Sequence, residues 1–384
     1  MKTKKKRVII LGGGFAGIWA AREICRSRDI MKESALIDRN AFATMLPALP
    51  DLVSGRVEDA CVKTPLEEIL PQGLDLIRDC IESVDFERKK LYSREAEYSF
   101  EYLILAAGSK VDFHGFNPQG HVYTLDCFKA AKTVSTDLRR YLEERGSESR
   151  VVIAGAGYTG VELAFSIRWY AEKMGIDAGI SLLNRSESYL KFLSVKDRGY
   201  AKRLLDKKNI EIITGVTPVS AEAEELRLSS GKVIKNPFFC WTAGVCLEPG
   251  FINNQVERLP DGRVGVDRYL EVPDYPGVFA AGDSAGFMHK GAYLRRAVNY
   301  ACYSGKQAGK NCVARISSRR MQEFKPVDAG WVIPLSFSSI GRVLGKIPVK
   351  GRAGLFLHYF MCGYRSFNLR RFICFIKRAL TSLF

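Results

Sequence analysis

The segment VIILGGGFAG, residues 8–17, joins a short apolar, β-branched run to a glycine loop. The run predicts a buried strand, and the residues from Ala16 to Arg26 predict the helix that follows it. The glycines have GxGxxG spacing, in which the first permits a tight turn, the second lets the backbone approach a pyrophosphate and the third allows close helix–strand packing. Asp38 follows the next buried run, Ala35–Ile37, where a carboxylate can accept hydrogen bonds from a ribose diol. The pattern therefore predicts a βαβ unit that binds a dinucleotide.

A second interpretation of the N-terminus is a secretory signal, because a basic stretch, Met1–Arg7, precedes an uncharged run, Val8–Ala21. A signal helix would lose about 1 kcal/mol for each of its consecutive glycines relative to alanine. A strand followed by a phosphate loop uses the same glycines without this loss. We therefore expect the phosphate loop and no signal peptide.

The same pattern occurs again at residues 151–183. Val151–Ala154 predicts a strand, GAGYTG at residues 155–160 predicts the loop, and a helix from Val161 to Met174 and a strand at Gly179–Leu183 follow. Two dinucleotide sites allow one cofactor to stay bound in one domain while a nicotinamide nucleotide visits the other.

The position that corresponds to Asp38 is Asn184 in the second unit, and Arg185 follows it. A carboxylate is expected here in a site selective for NADH, whereas an arginine can accommodate the 2′-phosphate of NADPH. An exposed arginine without a ligand is the alternative. The sequence therefore leaves the choice between NADH and NADPH open.

Further apolar runs end at small residues, at Tyr102–Gly108, Phe238–Trp241 and Val278–Ala281. The alternation of strands and helices predicts an α/β fold with parallel sheets and helices on both faces. We expect two Rossmann-like dinucleotide-binding domains, one inserted in the other, plus a C-terminal membrane-surface helical segment. The predicted boundaries are 1–112 and 265–322 for the first domain, 113–264 for the inserted domain and 323–384 for the C-terminal segment.

The C-terminal segment is basic and amphipathic. The chain carries a net charge of +16, and no acidic residue follows Asp328. Apolar residues recur there at helical spacing, at Leu369, Phe372, Ile373, Ile376, Leu380, Leu383 and Phe384. The other face is polar or basic, with Arg370, Arg371, Cys374, Lys377, Arg378, Thr381 and Ser382.

This pattern predicts a helix lying in the plane of an anionic membrane. The longest uncharged run of the segment, Ala353–Tyr364, is well short of the roughly 20 residues that span a bilayer. The alternative is that the apolar stripe packs on the protein's own core or on a partner subunit.

The ten cysteines include no CxxC pair and no Cys/His metal spacing, and the four histidines show no ligand spacing. We therefore expect no metal site, no disulfide framework and a reducing, cytosolic environment. The histidines are expected at the surface or in packing, with an interfacial role for His358 left open.

The order of motifs resembles that of the pyridine nucleotide–disulfide oxidoreductase superfamily. These motifs are the two glycine loops together with Leu105–Ser109, Trp241–Val245 and Gly277–Asp283. Within the superfamily the chain is most similar to the type II NADH dehydrogenases, which pass electrons from NADH through FAD to quinone without pumping protons. That resemblance includes Asp38-Arg39-Asn40 with Leu46-Pro47, Gly157–Leu163, Ser338–Arg342, Gly354, His358 and Gly363–Arg365.

The resemblance implies FAD as cofactor, NAD(P)H as substrate and a lipid-soluble, quinone-like electron acceptor. FAD would be bound by Gly12, Gly14, Phe15, Ala16, Gly17, Asp38, Arg39, Ala107, Gly108, Gly282 and Asp283, the last through the ribityl chain. The nicotinamide nucleotide would be bound by Gly155, Gly157, Gly160, Arg185 and Gly244. Three residues are predicted to take part in catalysis: Glu162, Asn299 and Tyr303.

Glu162 matches a glutamate that the family places near the flavin–nicotinamide contact. Asn299 and Tyr303 stand where the family's quinone-side motif has glutamines, so the acceptor can differ from ordinary quinones. With the basic C-terminal segment, the expected absence of a signal peptide and the site of NAD(P)H supply predict a peripheral protein on the cytoplasmic face of the cell membrane, bound to an anionic lipid surface. No nucleic acid partner is expected, and homodimer formation is left open.

Three other classes of protein share some of these features. Disulfide reductases of the superfamily carry a CxxxxC pair after the first glycine loop, where this chain has only Cys25 and Cys61. Sulfide:quinone oxidoreductases use widely separated cysteines, for which the candidates are Cys127, Cys302, Cys312 and Cys362. The third class is a flavoprotein with vestigial nicotinamide chemistry that binds an anionic partner.

Overall fold

The computed structural model describes residues 2–191, 193–248 and 250–382. Contacts divide these residues into two compact units. The first unit contains residues 2–43, Thr64–Lys110 and Val245–Ala329. The second contains Thr44–Lys63, Val111–Gly244 and residues 330–382.

The described residues form eleven α-helices, labelled in chain order. They are α1 (Phe15–Ile24), α2 (Arg28–Lys32), α3 (Leu49–Val53), α4 (Asp59–Val62), α5 (Leu66–Ile69), α6 (Phe128–Arg145), α7 (Tyr158–Lys173), α8 (Val195–Lys207), α9 (Val298–Ile316), α10 (Gly351–Tyr364) and α11 (Leu369–Thr381). Single 3₁₀ turns occur at Leu46–Ala48, Gly146–Glu148 and Gly282–Ser284.

The central strand of the first unit, Lys2–Leu11, runs parallel to Ser34–Asp38 on one side and to Ala96–Leu105 on the other. Its residues Val8–Ile10 are fully buried, as expected for a parallel strand that is covered on both faces. From edge to edge the sheet is Asp75–Arg78, Ser34–Asp38, Lys2–Leu11, Ala96–Leu105, Lys90–Ser93 and Ile81–Asp85, with Val278–Ala280 also parallel to Ala96–Leu105. Lys90–Ser93 and Ile81–Asp85 are antiparallel to their neighbours.

The main sheet of the second unit has five strands and is parallel throughout. Its order is Tyr123–Thr124, Phe238–Trp241, Arg150–Ala154, Gly179–Asn184 and Ile210–Thr214. In both units the strand before the glycine loop lies inside the sheet, which is the doubly wound arrangement that binds ligands at the carboxyl ends of its strands. The prediction of an α/β fold with parallel-sheet dinucleotide-binding domains is confirmed.

The described part of the second unit also contains two antiparallel, three-stranded sheets. One is Pro218–Ala221, Glu225–Leu228 and Val233–Lys235, and the other is Gly330–Leu335, Ser338–Val343 and Ile347–Lys350. The remaining short strands are Phe42–Thr44, Lys63–Pro65, Lys110–Val111, Val245–Cys246, Val264–Gly265, Ala285–Gly286, Met288–His289 and Ala292–Tyr293.

The two units differ from the sequence-based boundaries in the segments that join the domains. Residues 245–264 group with the first unit, because Leu247, Phe251 and Ile252 pack in its hydrophobic core. Residues 330–382 group with the second unit instead of standing apart.

Asp197 in α8 anchors the C-terminal sheet to the second unit. Its carboxylate lies 3.1 Å from Arg342 and 2.8 Å from Lys350, which both belong to that sheet. Burial acts to raise the pKa of Asp197, but hydrogen bonds from Lys350, Ser194 and Arg342 outweigh it and lower the pKa to about 2. Two cations thus keep this carboxylate ionised at neutral pH.

The cysteine spacing indicated no disulfide framework, but one pair of cysteines forms a disulfide. Cys61 in α4 and Cys374 in α11 are joined by a disulfide, with their Cα atoms 6.3 Å apart. They are separated by 313 positions in the sequence, so local spacing could not reveal the pairing.

The predicted amphipathic helix at the C-terminus is present as α11. It buries Phe375 and Ala379 completely, and the guanidinium of Arg378 lies over the ring of Tyr359. Its apolar stripe is largely at the surface, with Leu369, Ile373 and Leu380 exposed. Leu383 and Phe384, which complete the predicted stripe, lie outside the described residues. Phe372 of the same stripe is half-buried against the Phe360 ring of α10, so the described stripe packs on the protein only in part.

None of the described helices is both long enough and apolar enough to cross a membrane.

Candidate functional site

The first glycine loop, Gly12–Gly17, has the geometry that a phosphate-binding turn requires. Gly12 has a φ of +108°, and a Cβ there would lie 2.2 Å from the carbonyl oxygen of Ala106. A Cβ at Gly17 would lie 1.8 Å from the carbonyl oxygen of Gly12, so only glycine permits the close helix–strand contact. A Cβ at Gly14 would meet nothing within 4 Å. The second glycine therefore faces open space beside the start of α1.

The second glycine loop, Gly155–Gly160, repeats this geometry in the other unit. Gly155 has a φ of +109°, and a Cβ at Gly160 would lie 1.8 Å from the carbonyl oxygen of Gly155. A Cβ at Gly157 would again meet nothing within 4 Å. The helices α1 and α7 begin after Gly14 and Gly157 without a side-chain cap and without an acidic residue in the first turn. Both N-termini thus offer backbone N–H groups to an anion.

Asp38 lies beside the first loop, at the end of the strand next to it. Its Oδ2 accepts a hydrogen bond from the Gly13 N–H at 2.6 Å, and its Oδ1 accepts one from the Asn40 N–H at 2.7 Å. Among the neighbouring predicted residues, Arg39 is exposed and Phe15 is half-buried. The carboxylate is therefore held at the carboxyl edge of the sheet, as the sequence predicted.

Two later motifs of the first unit meet at the same edge. The Gly108 N–H donates to Ser284 Oγ at 3.1 Å, and the Ser109 hydroxyl donates to Asp283 Oδ2 at 3.3 Å. Ala107, which precedes them, is exposed. The structure thus brings together the segments around Gly108 and Asp283, which lie 175 positions apart in the sequence.

Helix α9 supports this edge through close packing on α1. A Cβ at Gly282 would lie 2.9 Å from the Ala16 side chain, and a Cβ at Gly305 would lie 2.1 Å from the Ala16 carbonyl oxygen. The Gly282 N–H donates to Ser304 Oγ in α9 at 2.9 Å. Ala16 and Gly282 are therefore packing positions as well as predicted cofactor positions.

Asp283 has a half-buried carboxyl group with two arginines nearby. Burial raises its pKa above the ordinary value, although Arg296, the Ser109 hydroxyl and Arg263 act to lower it. Arg263 and Arg296 both contact Asp261, at 2.9 Å and 3.0 Å. The sequence analysis missed this arginine pair, because neither residue belongs to a recognised motif.

These features fit FAD. The first unit combines an uncapped helix N-terminus, an open glycine position, the Asp38 carboxylate and a second, desolvated carboxyl group at one sheet edge. Among the described residues, no group of three or more histidine, cysteine, aspartate or glutamate side chains could hold a metal ion.

Glu162 lies in α7, after the second glycine loop. It keeps some accessible surface, but the surrounding protein desolvates its carboxyl group. Burial raises the pKa of Glu162 well above the ordinary value, and the charge of Asp51 adds to this rise. Both influences favour the protonated form of the carboxyl group.

Asp51 and Arg56 are further functional candidates that the sequence analysis missed. Their side chains are 3% and 1% exposed, and Arg56 Nη1 lies 3.7 Å from Asp51 Oδ1. The Arg56 guanidinium lies 4.5 Å from the Trp169 ring and 5.6 Å from the Phe337 ring. The sequence signal that could have identified them is that they are the two charged residues in the otherwise uncharged run 45–57.

Helix α10 contributes the last groups of this buried polar cluster. His358 is buried, which lowers its pKa. Cys362 Sγ lies 3.8 Å from His358 Nε2, and burial raises the pKa of the thiol. The burial of His358 agrees with the expectation that the histidines lie at the surface or in packing.

The strand Gly179–Asn184 of the second unit leads into a loop that begins at Asn184. Asn184 Nδ2 donates to the carbonyl oxygens of Ser186 and Ser188, the latter at 3.2 Å. Arg185 is exposed. Gly244 is predicted at the same site, and a Cβ there would lie 2.2 Å from His114 Nε2.

Asn299 and Tyr303 lie in α9 of the first unit. Asn299 is buried, and its Nδ2 donates to the Val327 carbonyl oxygen at 3.3 Å. Tyr303 is 41% exposed and lines a surface groove together with Lys306 and Lys310. The structure therefore places one residue in packing and leaves the other ring accessible.

Comparisons with known proteins identify a family that matches most of the chain. The profile of the pyridine nucleotide-disulphide oxidoreductase family matches residues 6–305. A type II NADH:quinone oxidoreductase of Staphylococcus aureus is 23% identical over 390 residues, which covers 93% of this chain and 94% of the relative.

Two solved structures have a similar fold. NDH2 from Plasmodium falciparum in complex with NADH has a TM-score of 0.82 and 15% identity, covering 97% of this chain and 98% of that chain. The sulfide:quinone oxidoreductase of the hyperthermophilic bacterium Aquifex aeolicus has a TM-score of 0.76 and 17% identity, covering 97% and 92%.

Proposed function

Because the chain belongs to the pyridine nucleotide-disulphide oxidoreductase family, we propose that it uses FAD to oxidise NAD(P)H and to reduce a quinone-like, lipid-soluble acceptor. The observation that carries this proposal is one glycine-loop geometry repeated in two parallel-sheet units. Two dinucleotide sites suit a resident cofactor and an exchanging substrate. The similar proteins are described as an NADH:quinone oxidoreductase and as NDH2 in complex with NADH.

FAD, when bound, supplies the chemistry of accepting hydride and releasing electrons to the acceptor. The first glycine loop and the N-terminus of α1 would hold its diphosphate, and Asp38 would hold the ribose diol. Asp283 would accept hydrogen bonds from the ribityl hydroxyls, which suits a carboxyl group that burial has deprived of water. Each residue thus acts by binding and orienting.

The second glycine loop would hold the diphosphate of NAD(P)H at the N-terminus of α7. Glu162, in the same helix, is the proton-holding group of this proposal. Reduction of a quinone to a quinol requires protons as well as electrons, and a carboxyl group with a raised pKa can hold and donate a proton.

Asn299 and Tyr303 are the proposed acceptor-side residues. Tyr303 keeps an accessible aromatic ring that could stack on a planar acceptor. Asn299 is held by its hydrogen bond to the Val327 carbonyl oxygen, so its contribution would be to keep α9 in place.

The protein is further proposed to bind the cytoplasmic face of the cell membrane peripherally. In α11, Leu369, Ile373 and Leu380 form an exposed apolar stripe, with Arg370 and Lys377 exposed beside it. An apolar stripe flanked by cations inserts into the interface of an anionic membrane. Homodimer formation is compatible with this arrangement.

The deciding experiment is an anaerobic absorbance titration of the purified, flavin-loaded protein with NADH and with NADPH, followed by a soluble quinone analogue. We expect either nucleotide to bleach the flavin band and the quinone to restore it. Bleaching without reoxidation by quinone would reject the acceptor class, and no bleaching by either nucleotide would reject the donor class.

Sulfide oxidation is the second candidate, because the Aquifex aeolicus enzyme shares the fold over most of both chains. Burial raises the pKa of Cys312 and of Cys362, which disfavours the reactive thiolate. Adding sulfide in place of nucleotide in the same titration separates the two functions. Bleaching by sulfide alone would favour this candidate.

A further inference from the structure

We propose that Cys61 and Cys374 form a reversible thiol–disulfide site, which fixes α11 to α4 when oxidised and releases α11 from α4 when reduced. Both helices belong to the second unit, and the two Cα atoms lie 6.3 Å apart. The other eight cysteines are free thiols. In the cytoplasmic location proposed above, where thiols are kept reduced, a protein disulfide is usually transient or redox-sensing. The site does not depend on the flavin chemistry, whereas its effect on lipid binding rests on the proposed membrane contact.

The Cys61 side of the pair is a fixed anchor. Cys61 is 3% exposed, in the four-residue helix α4. Arg56, five positions earlier, donates hydrogen bonds to the Ser336 carbonyl oxygen and to Ser336 Oγ, both at 3.4 Å. Asp59, in α4 itself, pairs with Lys132 of α6 at 3.1 Å. The segment that carries Cys61 is therefore attached to other elements of the second unit without the disulfide.

The Cys374 side lies on a helix that packs mainly on its neighbour in the sequence, α10. The Phe372 ring lies 6.1 Å from the Phe360 ring of α10, and a Cβ at Gly363 of α10 would lie 3.1 Å from the Phe375 Cβ. A hydrogen bond from Arg371 Nε to the Lys63 carbonyl oxygen, at 2.6 Å, also joins α11 to the segment of α4. Reduction would therefore remove the covalent link to α4 and leave the packing on α10.

Cys374 provides the sulfur that an external thiol can attack, because it is half-buried whereas Cys61 is almost fully buried. A thiolate that attacks Cys374 Sγ breaks the S–S bond and expels the Cys61 thiolate, which takes up a proton. A second external thiol then attacks the mixed disulfide and releases Cys374, which also takes up a proton. Two external thiols thus supply two electrons and two protons and become a disulfide. A low-molecular-weight disulfide such as oxidised glutathione reverses the steps.

The charges around Cys374 favour this exchange. Four cationic residues lie three or four positions from it on α11 and therefore on the same side of the helix: Arg370, Arg371, Lys377 and Arg378. The acidic residues of the facing segment are Glu58, which is exposed, and Asp59, which pairs with Lys132. Positive charge stabilises a thiolate, which is both the attacking and the leaving form in disulfide exchange.

The disulfide also sets which residues α11 exposes. Cys374 directly follows Ile373, so a cross-link at this position limits the rotation of the helix about its axis. A released amphipathic helix can adopt rotations that turn Leu369, Ile373 and Leu380 toward the protein, because removing apolar surface from water is favourable. We therefore expect reduction to weaken the binding of α11 to anionic lipid.

Hydrogen–deuterium exchange of the flavin-loaded protein tests the site directly. One sample is treated with oxidised glutathione and the other with dithiothreitol, and peptide mass mapping reports the state of the pair. We expect the amides of α11 to exchange about tenfold faster in the reduced sample, because the released helix opens more often. The amides of α6 and α8, in the same unit, should exchange equally in both samples.

The variants Cys374→Ser and Cys61→Ser should show the faster exchange of α11 under both treatments. Each variant removes the same bond from a different helix, so either one serves if the other does not fold. Cys80→Ser is the matched control, because Cys80 is an exposed free thiol in the first unit. This control should respond to the two treatments as the unmodified protein does.

Flotation with vesicles of phosphatidylcholine and phosphatidylglycerol measures the effect on lipid binding. We expect the oxidised protein to bind about threefold more tightly than the reduced protein, because the cross-link holds the exposed residues in place before binding. Cys374→Ser should bind equally under both treatments. Equal binding of the two states of the unmodified protein would overturn the effect on the membrane. No binding by either state would reject the proposed membrane contact, and exchange would then decide on the thiol–disulfide site alone.

Two results would overturn the site itself. One is failure of the pair to form a disulfide with oxidised glutathione, and the other is equal exchange of α11 in the oxidised and reduced samples. Faster exchange throughout the second unit on reduction would also overturn it, because the disulfide would then have only a general stabilising role. None of these results depends on bleaching of the flavin by NADH or NADPH, so the proposed redox function can fail separately.

Discussion

At the residue scale, three carboxyl groups differ in their properties because their surroundings differ. Asp197 faces two cations, which lower its pKa to about 2 and make it an anchor for the C-terminal sheet. Asp38 accepts two backbone hydrogen bonds beside the first glycine loop. Glu162 is desolvated next to Asp51, so its pKa is raised. The surroundings of Glu162 therefore favour its protonated form, whereas those of Asp197 favour its ionised form.

The raised pKa of Glu162 gives a pH-dependent prediction. The folded state holds its proton above the ordinary value of 4.5, so ionisation opposes folding increasingly as the pH rises beyond that value. Glu162→Gln removes this penalty. We therefore expect the melting temperature of the variant to exceed that of the unmodified enzyme by a margin that grows from pH 5 to pH 8.

The same variant should keep its flavin and lose quinone reductase turnover by about a hundredfold, the usual contribution of a general acid or base. Flavin content and steady-state turnover are measured on the same preparation. A variant that is less stable at every pH, with turnover unchanged, would mean that Glu162 has a structural role only.

At the scale of elements, α11 exposes apolar residues, whereas a helix on a protein surface usually turns its apolar face toward the core. It packs through Phe375, Ala379 and the disulfide of Cys374, and it exposes Leu369, Ile373 and Leu380. The hydrogen bond from Arg371 Nε to the Lys63 carbonyl oxygen, at 2.6 Å, adds to this attachment. The helix is thus fixed to its unit while Leu369, Ile373 and Leu380 stay exposed.

We predict that Ile373→Glu/Leu380→Glu abolishes sedimentation of the protein with anionic vesicles. Both side chains are about half exposed, so the fold should tolerate the change. Val219→Glu, at an apolar residue that is 62% exposed in an antiparallel sheet, is the matched control and should bind normally. Undiminished vesicle binding by the α11 variant would assign membrane contact to another surface.

At the scale of the whole molecule, the same arrangement of strand, glycine loop and helix occurs in both units. Both units place a glycine loop between an inner parallel strand and a helix whose N-terminus lacks a side-chain cap. Each loop leaves its second glycine in open space. Blocking one glycine loop should therefore abolish nucleotide binding at that loop and leave binding at the other loop intact.

Gly14→Val and Gly157→Val test this independence, because neither new side chain would clash with the protein at its Cβ. We expect Gly14→Val to be purified without flavin, since the valine would occupy the position of the diphosphate. Gly157→Val should keep its yellow colour but resist bleaching by NADH and NADPH. Loss of flavin from Gly157→Val with retention by Gly14→Val would reverse the assignment of the two sites.

The features that the sequence predicted correctly depend on neighbours along the chain. Gly12 and Gly17 lie five positions apart, and their steric requirements follow from a turn between one strand and one helix. The helical periodicity of α11 is likewise local, and the predicted helix was confirmed. Patterns of this kind can be recognised in a sequence because the geometry of a single turn or helix fixes the relative positions of residues that are close along the chain.

The remaining features depend on which distant segments the fold brings into contact. The Cys61–Cys374 disulfide, the burial of Asp51 with Arg56 beside Trp169, and the engagement of Asn299 with Val327 all join separate segments. The side of α11 that faces solvent belongs to the same class, because an amphipathic helix can bury either stripe. The local periodicity of the chain therefore specified its elements and nucleotide loops, whereas long-range packing decided which charged and apolar groups became buried, paired or exposed.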